Sequence, residues 1–90
     1  MGTEILDEVF AVIEDRRDKP KSGSYVSGLL ASGKVSEKIE EEAGELIEAG
    51  KGEDKQATVH EAADLIFHTM VLLAAKGIKL DEVMEELRRR

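Results

Sequence analysis

Carboxylates at helical spacing crowd two neighbouring stretches of this chain. Lys38-Ile39-Glu40-Glu41-Glu42-Ala43-Gly44-Glu45 is one, and Glu61-Ala62-Ala63-Asp64, running into Leu65-Ile66-Phe67-His68, is the other. If both are α-helical, Glu42 and Glu45 are i,i+3 neighbours, Glu41 and Glu45 are i,i+4, and Glu61 and Asp64 are i,i+3, so each helix shows acids on one side. Two carboxylates about 5 Å apart repel by roughly 3 kcal/mol at an effective dielectric near 20, and two such pairs facing each other repel further. A cation between them relieves this. Oxygen ligands, with no cysteine and only two histidines in the chain, suit hard Mg²⁺, or Mn²⁺, better than Zn²⁺.

Each residue also has a plainer reading. Glu37, Glu40 and Glu48 belong to a solvated helix face, as most glutamates do. Asp64 is more pointed, because its neighbours Ala62, Ala63, Leu65, Ile66 and Phe67 are apolar and an ionised carboxylate there is costly unless paired or metal-bound. With Glu61 one turn before it, cation binding is favoured over a structural ion pair. His68, i,i+4 from Asp64, is a core histidine, a support for a ligand or a substrate contact, the core reading ranking first. Lys38 pairs with Glu41 and Glu42 as helix decoration or reaches a phosphate beside the metal. Tyr25 reads as a core aromatic with its hydroxyl at the surface, Ser24 as a helix N-cap or a ligand contact. His60 and Arg88 to Arg90 read as surface.

Helices must position these groups. Residues 3–18 carry Ile5, Leu6, Val9, Val12 and Ile13 at spacings of three and four, with Thr3 as N-cap. Lys19-Pro20-Lys21-Ser22-Gly23 breaks this helix. A short second helix opens at Ser24, turns Tyr25, Val26, Leu29 and Leu30 to one side, and ends at Ser32-Gly33. The third runs from residue 34 or 36 to residue 49, with Ile39, Ala43, Leu46 and Ile47 as its buried stripe and Gly50-Lys51-Gly52 as its stop. Gly44 inside it suggests close approach of another backbone or a ligand. The fourth spans residues 54–76 and is apolar nearly all round from Ala62 to Ala75. Gly77 stops it, and a last helix over residues 81–90 turns Val83, Met84 and Leu87, with Leu80 ahead of it, inward. No strand-like alternation or internal repeat is present.

Ninety residues make one domain, residues 1–90, with a small core. Such a chain can hardly enclose the apolar fourth helix alone, which predicts a homodimer with that helix at its centre. A net charge of −7 argues against a nucleic-acid binder, whose affinity comes from Lys and Arg on phosphates. Without an N-terminal leader, a membrane-length apolar run or any cysteine, the chain reads as a soluble, cytoplasmic protein with no membrane partner.

Glu41-Glu42-x-x-Glu45 followed by Glu61-x-x-Asp64 resembles the paired acidic motif of the all-α nucleoside triphosphate pyrophosphatase superfamily, the MazG-like enzymes. Within it, Val12-Ile13-Glu14-Asp15-Arg16, Gly23-Ser24-Tyr25 with Leu29-Leu30, Lys38 before the acids, Glu61-Ala62-Ala63-Asp64-Leu65 with His68, and Glu86-Leu87-Arg88-Arg89-Arg90 resemble the phosphoribosyl-ATP pyrophosphohydrolases of histidine biosynthesis. The resemblance implies an all-α, dimeric bundle of four to five helices and Mg²⁺-dependent cleavage of the α,β phosphoanhydride of phosphoribosyl-ATP to phosphoribosyl-AMP and pyrophosphate. It implies that Glu42, Glu45, Glu61 and Asp64 hold the metal, that Glu41 is a further ligand or orients water, and that Lys38 and Arg16 contact phosphates, with Ser24, Tyr25 and His68 near the substrate. Glu40 stands where a small residue is usual, His60 where an acid is, and Lys21-Ser22 where proline or an acid is commoner. The same metal machinery would serve a housecleaning pyrophosphatase for free nucleotides such as dCTP or dUTP. An acidic helical dimer that binds partners without catalysis is the third reading.

Overall fold

The computed structural model describes residues 2–90. They form five helices, α1 (Glu4–Asp18), α2 (Tyr25–Ser32), α3 (Val35–Lys51), α4 (Lys55–Ala75) and α5 (Leu80–Arg88), and no strand occurs among the described residues. The α3–α4 hairpin is the backbone of the structure, with α1 laid on α4 and the short α2 wedged among α1, α3 and α4.

Local chemistry sets the helix ends. Ser24 Oγ accepts from the Ser27 amide at 3.2 Å and caps α2, while the Ser27 hydroxyl donates to the Arg16 carbonyl at 2.9 Å and pins α2 to the end of α1. Asp54 Oδ1 caps α4, accepting from the amides of Gln56 and Ala57, so the orphan donors of the first turn are satisfied. Thr58 Oγ1 donates to the Ala49 carbonyl at 3.2 Å, fastening the start of α4 to the end of α3. At the far end of α4 the Gly77 amide bonds Ala74 O and the Ile78 amide bonds Leu73 O. These are the paired bonds of a Schellman turn, and Gly77 supplies the left-handed residue it needs, with φ +72°. Arg17 Nη1 adds a bond to Ala74 O at 2.8 Å, joining the ends of α1 and α4 across 57 residues of sequence.

The core gathers Phe10 and Ile13 of α1, Val26 and Leu29 of α2, Val35 of α3, Met70, Val71 and Ala74 of α4, and Leu80. Several expectations about faces and ends need correction. On α1 the buried positions are Phe10 and Ile13, while Ile5 and Val12 lie on the exposed side. On α3 Ile39, Ala43 and Leu46 are part-buried as the stripe expected, but the buried positions are Val35 and Glu42, which puts an acid on the inward side where the stripe expected none. Ile47 is instead 61% exposed. Leu87 of α5 also faces outward. Thr3 makes no side-chain cap. Gly50 does not stop α3, which continues to Lys51 and ends at Gly52, because a glycine in helical geometry weakens a helix without breaking it. At Gly44 nothing apart from the surrounding backbone of its own helix comes within 4 Å of where a side chain would begin. One chain does not enclose the apolar part of α4: Ile66 is 49% exposed.

Gly77 provides a direct test of the C-terminal turn. A Cβ there meets nothing within 4 Å, so only the left-handed backbone opposes a larger residue. Gly77→Ala should lower the unfolding free energy by about 1 kcal/mol, read as an earlier urea midpoint at unchanged slope; an unshifted midpoint contradicts the assignment.

Candidate active site

The packing of α3 on α4 forces one carboxylate out of water. Glu42 is 5% exposed. Lys38, one turn earlier, reaches Glu42 Oε1 at 3.4 Å and Glu41 Oε2 at 3.1 Å, but Glu42 Oε2 is buried and receives no hydrogen bond. The two acids hold Lys38 protonated above its ordinary range, the Glu41 hydrogen bond contributing most. Glu41, Glu42 and Glu45 each offer an oxygen within 4.8 Å of the others, which is the α3 trio that the helical spacing predicts.

On α4 a second trio forms: His60, Glu61 and Asp64 offer ligand atoms within 4.8 Å of one another. His60 Nε2 lies 3.3 Å from Asp64 Oδ2. His60 was read as plain surface; the i,i+4 spacing to Asp64 was the signal that could have included it. Asp64 itself is not the sequestered acid its apolar neighbours suggested, since its carboxylate is about a third exposed beside that histidine. The sequestered acids are Glu42 and, on α4, Glu61, whose Oε1 is buried without a partner.

Glu45 joins the trios. Its carboxyl is raised above the ordinary range, first by Glu42, then by desolvation, and further by Glu61 across the helix seam and by Glu41. Acids from α3 and α4 therefore converge through Glu45 and Glu61. The buried, unpaired oxygens of Glu42 and Glu61, in a set of hard carboxylate donors with one exposed imidazole, fit a divalent cation of the Mg²⁺ type.

The remaining residues divide. Tyr25 Oη lies 2.8 Å from His68 Nε2, and His68 Nδ1 lies 2.8 Å from the Asp64 carbonyl, so α2 is tied to α4 one turn beyond the α4 acids. His68 is buried with both ring nitrogens satisfied inside the chain, the core reading ranked first for it, rather than open to the substrate that the family resemblance placed near it. The Ser24 hydroxyl serves as the α2 cap. Arg16 bonds Asp15 at 2.7 Å at the α1–α2 junction and contacts neither trio among the described residues.

A family model described as phosphoribosyl-ATP pyrophosphohydrolase matches residues 6–90. The chain belongs to that family. It is similar to a protein named phosphoribosyl-ATP pyrophosphatase from Methanocella arvoryzae, at 50% identity over 97% of this chain and 96% of the relative. It is 47% identical to one of the same name from Methanopyrus kandleri, over 97% of this chain and 94% of that one. A third, from Clostridium botulinum, is 44% identical over 96% and 80%. As a phosphoribosyl-ATP pyrophosphohydrolase family member the chain is a hydrolase with the MazG-like all-α fold, which sets aside the reading as a non-catalytic module.

The crowding at Glu45 has a pH signature. A carboxyl held above its ordinary value binds a proton more tightly folded than unfolded, so the folded state is favoured most below the ordinary value of 4.5 and loses that advantage as pH rises through the folded value. Without metal, Glu45→Gln should melt at a higher temperature than wild type at pH 7, the two curves meeting near pH 4 where the carboxyl is largely protonated. Equal melting temperatures at pH 7 in EDTA would show that the acids do not press on one another.

Proposed function

We propose that the chain hydrolyses the α,β phosphoanhydride of phosphoribosyl-ATP, releasing phosphoribosyl-AMP and pyrophosphate in histidine biosynthesis, and that residues 1–90 act as one catalytic domain. The observation carrying this reading is the pair of buried, unpartnered carboxylate oxygens on Glu42 and Glu61, set in an acidic seam in a chain whose family is named for that reaction.

Glu42, Glu45, Glu61 and Asp64 are the residues that would hold Mg²⁺, or Mn²⁺ in its place. Bound there, the cation offsets the carboxylates and screens the charge of the phosphates. Lys38 is poised beside it, its ammonium already held by Glu41 and Glu42, to meet a phosphate oxygen as substrate enters. Glu41, exposed at the edge of the trio, orients the attacking water. A phosphate contact by Arg16 requires it to leave Asp15, which puts it outside the set at rest. Hydrolysis leaves the carboxylates unchanged, so their work is positioning and charge balance rather than covalent chemistry.

The chain acts as a cytoplasmic homodimer in this reading. No described helix is long and apolar enough to cross a membrane. Support for a second copy is the apolar surface left along α1, α4 and α5: Ile5, Ile66 and Leu87 are about half exposed, and a groove of about 360 Å³ between α4 and α5 is walled by Leu65, Ile66, Leu73 and Met84. Ile66→Lys should sediment as a monomer where wild type sediments as a dimer; a dimeric variant places the interface elsewhere.

Incubation with phosphoribosyl-ATP, with and without Mg²⁺, should release pyrophosphate only with the metal, and dCTP and dUTP should be poor substrates. Preference for the free nucleotides would point to a housecleaning role. Glu45→Gln and Asp64→Asn should each lower kcat by at least about a hundredfold, more than is usual for residues supporting a metal from outside its ligand set, while circular dichroism stays helical. Near-normal turnover in either rejects the ligand assignment.

A further inference from the structure

The acidic trios leave one polar arrangement unaccounted for: a half-exposed tyrosine bonded to a buried histidine. The Asp64 carbonyl can only accept, so the proton of the bond to His68 sits on Nδ1. A neutral imidazole held this way has its lone pair at Nε2. Tyr25 Oη, 2.8 Å from that atom, must then donate its single proton inward. The ring geometry holds the pair in place: His68 stands edge-on to Tyr25, with centroids 5.8 Å apart, and edge-on to Phe67 at 5.2 Å.

The consequence lies on the other side of the phenol. With its proton committed to His68, the Tyr25 oxygen turns only lone pairs outward. It does so from a residue that is 53% exposed and that is tied through His68 to the backbone of Asp64, a member of the α4 trio. An oxygen of that polarity repels phosphate oxygens and attracts a hydroxyl or an amine. In a site whose remaining groups all address phosphates and cations, it is suited to the uncharged part of the substrate.

We propose that Tyr25 reads the nucleoside portion of the substrate by accepting a hydrogen bond from a ribose hydroxyl or a base amine, and that His68 is the positioning residue that keeps Tyr25 in this acceptor polarity. The proposal rests on the phosphoribosyl-ATP reading. It explains why a buried histidine whose nitrogens both face inward stands one turn beyond Asp64: it acts on substrate through Tyr25.

The test compares competitive inhibition of pyrophosphate release by AMP, inosine monophosphate, ribose 5-phosphate and pyrophosphate. In Tyr25→Phe, KM for phosphoribosyl-ATP and the inhibition constant for AMP should rise about tenfold, the loss of one hydrogen bond, while pyrophosphate inhibits as in wild type. Ribose 5-phosphate weakened in parallel with AMP identifies a ribose hydroxyl; AMP weakened with ribose 5-phosphate and inosine monophosphate unmoved identifies the amine. His68→Leu should reproduce the Tyr25→Phe losses, the double variant should lose no more than either single one, and His68→Gln, whose amide oxygen can accept from the phenol, should recover part of the loss. An unmoved AMP constant in Tyr25→Phe, pyrophosphate weakened as much as AMP, or additive losses in the double variant overturns the proposal. Tyr25→Phe tests it even if His68→Leu fails to fold. A failure of the underlying reading looks different, since wild type itself would then release no pyrophosphate.

Discussion

A carboxylate in the seam between two packed helices is the constraint around which this protein is arranged. Glu42 occupies an inward position of α3, where a leucine or alanine would serve the core better, and burial of an ionised acid is tolerated only with compensation. Lys38 supplies part of it, to one oxygen. The other oxygen, with that of Glu61 across the seam, is a demand the chain does not meet from its own donors. In the reading proposed above, a divalent cation between α3 and α4 would answer it and would also screen these acids from a phosphoanhydride. Folding and chemistry here draw on one electrostatic debt.

The scaffold explains why that seam holds its geometry. The α3–α4 hairpin is closed at one end by Thr58 on the Ala49 carbonyl and capped there by Asp54. At the opposite end of α4, Gly77 and Arg17 together satisfy the Ala74 carbonyl and tie in α1. Helix α2 is too short to be stable by itself; it is held by Ser27 against α1 and by Tyr25 against His68. The longer helices α3 and α4 carry the acids, and the small helix carries the tyrosine bonded to His68 one turn beyond them. Preorganisation of this kind places charge before substrate arrives.

The apolar positions of α4 divide between the core and the surface. Met70, Val71 and Ala74 fill the core of the chain, whereas Ile66, with Ile5 and Val12 from α1, remains at the surface. A helix apolar on nearly all sides is suited to burial on all sides, and a 90-residue chain has too few other elements to do it. The surface beside the acidic seam is thus fit for a second helix layer.

Several features were determined by sequence alone. Five helices, the glycine stop at residue 77, the Ser24 cap and the two acidic groupings follow from propensity, capping and i,i+3 or i,i+4 spacing, which are local and survive any packing. The family resemblance rested on those same local motifs. Which acid becomes buried could not be read this way: Asp64, among apolar neighbours in the chain, is about a third exposed, and Glu42, among glutamates, is buried. The faces of α1 and α3 were likewise misjudged at Phe10 and Ile47, because apolar residues on both sides of a helix leave its rotation to be chosen by the partner it packs against. The inclusion of His60 in the α4 trio, the closeness of Glu45 to Glu61 across the seam, and the polarity of Tyr25 set by His68 all depend on contacts between elements distant in the chain or on side-chain geometry that spacing leaves open. Sequence determined what each helix carries; only tertiary packing decided which side of it meets water.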